Sequence, residues 1–157
     1  GYYGVGSKNC TCTSQSIQKY MVKISGPLLD RIDICTEVSP VEYKKLNSDI
    51  EIETSATIKE RVNKARKIQN IRYRENKIFS NSELTPKLIE KYCKLDEPSK
   101  LILENAFKKL NLSARAYGRI LKVARTIADL DESKNISQKH IAEAIQYRSI
   151  DKKYWGN

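Results

Sequence analysis

Residues 112–130 read LSARAYGRILKVARTIADL, and this stretch decides how the chain folds. Its apolar side chains recur at spacings of four and three, the period of one face of an α-helix: Ala116, Ile120, Val123, Ile127 and Leu130. Ser113 precedes the run and is a preferred residue for a helix N-cap. The stretch therefore predicts a helix capped by Ser113, with its apolar face turned towards a core.

Four further helices are predicted around this one in residues 55–150. The longest covers residues 55–77, with an inward face of Ile58, Val62, Ala65 and Ile68. Thr85 and Pro86 open a helix that runs to residue 95, since threonine caps helices and proline suits the first position. A third helix covers residues 97–110. Ser137 caps the last helix, which turns Ile141, Ala144 and Ile145 inward. These elements predict a helical bundle.

The first forty residues have a different pattern. A helix is predicted over residues 14–24, and Ser25, Gly26 and Pro27 end it. Pro27 can open one further helical turn through Leu28 and Leu29. Residues 32–38 alternate as a β-strand does, and a short helix is predicted over residues 41–46.

Composition places the chain among soluble, cytosolic globular proteins. Of its 157 residues, 39% are hydrophobic, and no run approaches the roughly 20 apolar residues that a membrane-spanning helix needs. The 29 basic and 19 acidic residues give a net charge of +10, which indicates a polyanionic partner such as nucleic acid or nucleotide phosphate. A basic surface without such a partner is the alternative.

The four cysteines are irregularly spaced, and a disulfide framework is not indicated. Cys93 lies in an apolar helical run and Cys35 in the predicted strand, so both are interpreted as core residues. Cys10 and Cys12 resemble a metal-ligand pair, but two cysteines fill only half of the four positions of a structural zinc site. They predict at most an incomplete site, which cysteines outside the chain would have to complete. His140 follows a helix cap and is interpreted as structural.

Three segments carry a resemblance to a known family. Residues 25–33 read SGPLLDRID, residues 112–130 are quoted above, and residues 140–148 read HIAEAIQYR. In this order they resemble the magnesium-chelatase-like AAA+ ATPases, and within them the ComM/YifB branch. The resemblance implies a mainly α fold: the end of an AAA+ α/β domain, with a helix and one strand, followed by a C-terminal helical lid. Residues 1–40 would be the remnant of the ATPase core, 41–54 a linker and 55–150 the lid.

Arg31 is the first candidate for a catalytic residue. Apolar neighbours at the start of the predicted strand give it a rigid support, and a planar, permanently charged guanidinium suits a transferring phosphoryl group. The resemblance implies that Arg31 is an arginine finger acting on the ATP of the next subunit. The alternative is that Arg31 pairs with Asp30 or Asp33 and only stabilises the turn.

Arg115 is the second candidate. It lies in the first turn of a helix, where a cation opposes the helix dipole at a cost of about 0.3–1 kcal/mol. Helix N-termini attract phosphates, so an arginine there could complete an anion site. The resemblance implies that Arg115 is the sensor-2 residue and that it binds nucleotide together with Arg119, one turn further on. Lys122 and Arg125 continue this basic stripe and are interpreted as solvated.

The helix predicted over residues 55–77 is strongly basic. Eight basic residues stand against two acidic ones, Glu60 and Glu75, with Asn70 and Tyr73 among them: Lys59, Arg61, Lys64, Arg66, Lys67, Arg72, Arg74 and Lys77. Such a helix could contact DNA phosphates. A solvated or inter-subunit surface is the favoured interpretation, because AAA+ helicases grip DNA with pore loops. The DNA-binding residues therefore stay unassigned.

ATP hydrolysis by the chain alone is not expected. Gly1, Gly6, Ser7 and Lys8 approach the spacing of a P-loop, but the order of lysine and serine is reversed and no strand precedes them. ATP and Mg²⁺ are expected as ligands of the parent protein, with none bound by this fragment alone. The resemblance implies a cytoplasmic, hexameric, homo-oligomeric DNA helicase for branch migration. The alternatives are a chelatase-type motor that remodels a protein for metal insertion, and a non-catalytic assembly module.

Overall fold

A computed structural model describes residues 2–4, 9–38, 40, 41, 43 and 53–155, with side chains up to residue 148. The helices of this part of the chain are α1 (Ser14–Met21), α2 (Gly26–Leu29), α3 (Ser55–Tyr73), α4 (Pro86–Tyr92), α5 (Glu97–Lys109), α6 (Ala114–Leu130) and α7 (Gln138–Trp155). A short 3-10 helix covers Asn81–Glu83. The mainly α fold predicted from the sequence is confirmed.

The strand predicted over residues 32–38 is wrong. Within the described ranges the only β-pairing is an isolated parallel bridge between Leu95 and Ile136, and residues 32–38 are irregular. A strand needs a neighbour to satisfy its backbone groups, and this segment packs beside a helix instead. The Cys35 N–H donates to the carbonyl oxygen of Tyr147 in α7 at 3.1 Å. The short helix predicted at 41–46 lies largely outside the described residues.

Helix α6 is the centre of the fold. It packs against α3, α4, α7 and the 3-10 helix, so more than one side of it is covered. The predicted positions Ala116, Ile120 and Val123 are buried, whereas Leu130 is 36% exposed. A second buried row, absent from the prediction, adds Leu121, Ala124 and Ala128. The single-face prediction was too narrow because it assumed one packing partner.

Helix α3 is shorter and more exposed than predicted. It ends at Tyr73, and the chain then turns through Lys77, whose φ of 54° is left-handed. Of the predicted inward face, Ala65 is buried and Ile68 half-buried, but Ile58 and Val62 are 42% and 43% exposed. Its other buried residues, Gln69 and Tyr73, belong to the second half of the helix. The first half of α3 therefore contributes little to the core.

The ends of the helices follow local capping chemistry. Ser113 caps α6 as predicted, since its Oγ accepts from the Ala116 N–H at 3.1 Å. Asp96 caps α5 in the same way, with the Ser99 N–H at 2.9 Å. Thr85 occupies the N-cap position of α4 without a side-chain hydrogen bond, and α4 ends at Tyr92 rather than at residue 95. Helix α1 also ends early, at Met21, but the turn predicted through Leu28 and Leu29 is present as α2.

The last helix, α7, turns its predicted face inward. Ile141 and Ala144 are buried and Ile145 is half-buried. At the start of α7 a backbone group of Ser137 makes a capping hydrogen bond: the Ser137 N–H donates to His140 Nδ1 at 3.0 Å. This is one half of a capping box, with histidine in place of the usual glutamate. The structural interpretation of His140, which is 2% exposed, is confirmed.

Candidate functional site

A groove of about 370 Å³ brings three predicted cations together. It lies between the start of α6, the 3-10 helix, the start of α4 and the segment that follows α2. Its lining residues are Asp33, Ser82, Leu84, Pro86, Ile89, Ala114, Arg115, Gly118, Arg119 and Lys122. The basic residues follow one another at spacings of four and three on α6, which places them on one face. The groove therefore carries three positive charges against the single carboxylate of Asp33.

The three cations differ in how they are held. Arg119, with 27% of its side chain exposed, forms an ion pair with Asp33 through Nη1. Lys122 is half-buried, and its Nζ donates to the Ser82 carbonyl oxygen at 2.8 Å. Arg115 is exposed, and within the described residues it has no hydrogen bond or ion pair. Arg115 is therefore the cation of this groove that is most available to an anion.

Arg31 lies at the end of the turn formed by α2. It is exposed, and its Nη1 donates to the Pro27 carbonyl oxygen at 3.2 Å. The two acidic neighbours suggested as partners are taken by other arginines: Asp30 pairs with Arg148 and Asp33 with Arg119. Within the described residues Arg31 thus has no carboxylate partner, in contrast to the structural alternative considered for it. Asp33, two positions further on, belongs to the groove that contains Arg115.

Arg148 holds this turn and was missed by sequence reasoning. It is 1% exposed, and its Nη1 donates to the carbonyl oxygens of Leu29, at 3.0 Å, and of Ile32. Its Nη2 lies 3.4 Å from Asp30 Oδ1. Residues 140–148 were recognised as a motif, but no local signal indicates that the last residue of that motif contacts a segment more than a hundred positions earlier.

Arg125 does not belong to the exposed stripe, and the solvated interpretation of it is wrong. It is 2% exposed, and its Nε donates to Asp129 Oδ1 at 3.1 Å. Its remaining donors meet the carbonyl oxygens of Lys134, at 2.9 Å, and Ser133, at 2.7 Å. Six positions beyond Arg119 on a helix, the side chain points to a different face. Arg125 therefore connects α6 to the loop before α7.

Asp129 is the centre of a buried polar network. Its carboxylate is fully buried and accepts from Arg72 Nη1 at 2.8 Å, Asn81 Nδ2 at 2.9 Å and Gln69 Nε2 at 3.3 Å, in addition to Arg125. Burial acts to lower the pKa of Arg72, but the hydrogen bonds and charge attraction of Asp129 and Tyr73 together outweigh burial and raise it. Burial lowers the pKa of Arg125. The network joins α3, the 3-10 helix and α6, and so fixes the helix that carries the groove cations.

Two residues of the basic helix are structural. Arg72 pairs with Asp129, and Tyr73 is fully buried, with its hydroxyl donating to Asn81 Oδ1 at 2.6 Å. Neither side chain is available to the DNA phosphates that this helix could contact. Residues 59–67 of α3 do present basic side chains to solvent: Lys59, Arg61, Lys64, Arg66 and Lys67.

The cysteines differ in environment. Cys12 is exposed and Cys10 half-buried, and a backbone hydrogen bond from Cys12 lowers the pKa of the Cys10 thiol. The described residues contain no cluster of three or more His, Cys, Asp or Glu side chains that could hold a metal ion. The shared metal site of Cys10 and Cys12 stays a prediction. Cys93 is buried, as predicted, and burial raises its pKa to about 11. Cys35 is only half-buried and is therefore not a residue of the buried core.

Among the helices of the described ranges, none is long and apolar enough to cross a membrane.

Comparison with known proteins assigns the chain. The family of magnesium chelatase subunit ChlI matches residues 1–46, and the family of the C-terminal part of that subunit matches residues 52–148. The chain is 46% identical over 151 residues to the competence protein ComM of Haemophilus influenzae. These aligned residues make up 96% of the chain and 28% of ComM. It is 41% identical over 143 residues to YifB of Escherichia coli, and these residues make up 90% of the chain and 27% of YifB. The chain thus spans little more than a quarter of these relatives, and it belongs to the magnesium-chelatase-like AAA+ family, in its ComM/YifB branch.

Proposed function

We propose that the chain is the C-terminal part of an ATP-driven, ring-forming DNA motor, in which Arg31 acts on the ATP bound by the neighbouring subunit. The observation that carries the proposal is the groove, in which Asp33, two residues from Arg31, meets Arg115 and Arg119. Arg31 and Arg115, the two residues predicted to contact phosphate, are therefore carried on one folded unit. A single neighbouring subunit could present its ATP to both of them.

The groove suits a phosphate better than a metal ion. Guanidinium groups bind phosphate oxygens with paired hydrogen bonds and keep their charge at any physiological pH. Arg115 offers such a group, and Arg119 offers a second one if a phosphate competes with Asp33. Among the described residues there is no group of three or more His, Cys, Asp or Glu side chains that could hold a metal ion.

Arg31 would act on the transition state. Charge spreads over the oxygens of the transferred phosphoryl group, and an arginine supplied by a neighbour stabilises it by a factor of about 10³–10⁵ in turnover. Arg31 meets the two structural requirements, an exposed guanidinium and a turn held from behind. This role of Arg31 requires assembly of the ring, because Arg31 would contact the ATP of the neighbouring subunit and not the ATP of its own subunit.

DNA is the proposed track of the motor. The support consists of the net charge of +10, the exposed basic side chains of residues 59–67 in α3 and the similarity to a protein named for competence. A basic surface raises the affinity for any polyanion without selecting a sequence. Branch migration during strand exchange is the proposed activity.

The test is made in the full-length protein. Arg31→Ala should lower ATP turnover on the order of 10³-fold and leave ATP affinity nearly unchanged. Mixing Arg31→Ala subunits with subunits inactivated in the P-loop should restore part of the turnover, because each supplies what the other lacks. Arg74→Ala, which removes an exposed arginine outside the groove, should keep basal turnover. A failure of the mixture to recover any activity would contradict the proposal.

A chelatase-type motor is the second candidate, favoured by the family match over residues 1–46 and 52–148. Such a motor would remodel a partner protein for metal insertion. DNA separates the two candidates, because only a DNA motor should hydrolyse ATP faster when branched or duplex DNA is added. Turnover that ignores DNA in the full-length protein would favour the chelatase-type activity.

A further inference from the structure

The turn that carries Arg31 is not stable by its own local structure. Helix α2 has only four residues, and its N-cap, Ser25, makes no side-chain hydrogen bond. Isolated helices of this length do not form in water, because fixing the first turn costs more than its hydrogen bonds return. The geometry of the turn must therefore come from contacts with the rest of the molecule.

Arg148 supplies the most specific of these contacts. Its guanidinium donates to two carbonyl oxygens at the end of α2, those of Leu29 and Ile32, which enclose Arg31 in the sequence. Basic side chains at a helix C-terminus satisfy carbonyl groups that lack a helical partner. Leu29, buried at 6% exposure, anchors the same turn by packing.

Arg148 also acts on the charge around Arg31. Asp30 precedes Arg31 directly, and an unpaired carboxylate there would compete for its guanidinium. Arg148 Nη2 lies 3.4 Å from Asp30 Oδ1, and Arg119 pairs with Asp33 on the other side. Both acidic neighbours are thereby engaged by arginines of α6 and α7, and the Arg31 side chain stays exposed.

We propose that Arg148 is a positioning residue for Arg31: it fixes the turn from the buried side and engages Asp30, so that the Arg31 guanidinium points outward in one place. This inference rests on the proposed function, in which Arg31 completes the site of a neighbouring subunit. It also joins α7 to the turn that carries Arg31.

Arg148→Lys in the full-length protein is the main test. Lysine keeps the charge and much of the buried stem, but a single ammonium group cannot reach both carbonyl oxygens and Asp30 in the same geometry. A displacement of about 1 Å at a reacting centre can cost about 10²-fold in rate. We expect kcat for ATP to fall about 10²-fold with KM changed less than about twofold. Arg148→Ala should approach the loss seen for Arg31→Ala.

Mixed rings separate positioning from a general structural role. An Arg148→Lys subunit keeps its own ATP site, so mixing it with P-loop-inactive subunits, which supply an intact Arg31, should restore turnover. Mixing it with Arg31→Ala subunits should restore none, because neither partner then offers a working finger. Lys139→Ala is the matched control in α7: it removes an exposed cation that pairs with Asp131, and it should leave kcat unchanged.

The outcomes are distinguishable. If Arg31→Ala shows no complementation, the proposed function fails. If Arg31→Ala behaves as expected but Arg148→Lys and Arg148→Ala keep full turnover, the positioning role alone is refuted. If Arg148→Lys is recovered by Arg31→Ala subunits, its defect lies elsewhere than in the finger, and the inference is also wrong. If Arg148→Lys changes KM rather than kcat, the residue serves ATP binding instead.

Discussion

Asp129→Ala should be among the most destabilising single substitutions in the chain. The carboxylate is fully buried and accepts hydrogen bonds from Arg72, Arg125, Asn81 and Gln69. Without it, Arg125 would remain 2% exposed with an uncompensated positive charge. Breaking a buried ion pair on one side costs about 3–5 kcal/mol, because the partner charge keeps its desolvation penalty.

This loss is a large part of the total stability. A domain of this size has a free energy of unfolding of about 5–15 kcal/mol. At roughly 2–4 °C per kcal/mol, the melting temperature should fall by about 6–20 °C. Urea unfolding of the chain, followed by far-ultraviolet circular dichroism, measures the free energy directly. Asp129→Asn should be nearly as harmful, because its amide places two N–H donors among groups that are themselves donors.

The control is an exposed ion pair. Glu104 accepts from Lys108 Nζ at 2.6 Å, but both side chains are mostly in water. Glu104→Ala should therefore leave the free energy of unfolding within error of the parent chain. A loss below about 1 kcal/mol for Asp129→Ala would refute the reasoning, since it would mean that water or a rearrangement compensates Arg125. Equal losses for the two variants would refute it as well.

Three further outcomes are expected. Ser113→Ala should cost about 1 kcal/mol in urea unfolding, because the Ala116 N–H loses its cap, and Ser113→Asp should restore most of it. Asp131 has a pKa below its ordinary 3.8 because it accepts hydrogen bonds from Lys139, Ser133 and His140. The pKa of Asp131 is lower in the folded than in the unfolded chain, so its contribution to stability is present above pH 3.8 and is lost as the pH falls further. Asp131→Asn should therefore flatten the acid unfolding profile below pH 3.8. An unchanged profile would contradict the hydrogen bonding assigned to Asp131. Iodoacetamide at neutral pH should label the exposed Cys12 quickly and the buried Cys93, with its pKa of about 11, only after unfolding; rapid native labelling of Cys93 would show that the core opens there.

Local patterns predicted the helical part of the fold well. The cap at Ser113 and the inward positions Ala116 and Ile120 are encoded within one helix, and the structure confirms them. The same holds for Ile141 in α7. Strand formation is different, because it requires a neighbouring strand. Residues 32–38 have the right alternation, but in the described structure they lie against α7 instead.

The polar contacts between distant segments were beyond sequence reasoning. Arg125 resembles its exposed neighbours in the sequence, and only the arrangement of α3 and the 3-10 helix around Asp129 makes it a core residue. One signal could have been used: Arg125 and Asp129 are four residues apart on a helix, a spacing that allows an ion pair. No comparable signal links Arg148 to Leu29, because the pair depends on how the whole chain closes.

The contact between Arg148 and Leu29 also sets an order of events during synthesis. The two residues are 119 positions apart, so the turn that carries Arg31 leaves the ribosome long before its buried partner. At about 5–20 residues per second, the delay is roughly 6–24 s. During that time the Leu29 carbonyl oxygen lacks its hydrogen bond from Arg148, and Asp30 is free to attract the neighbouring guanidinium. On the proposed function, a nascent subunit would therefore acquire a working Arg31 only once α7 has been translated, and truncated chains that stop before residue 148 would not complete the site of a neighbour.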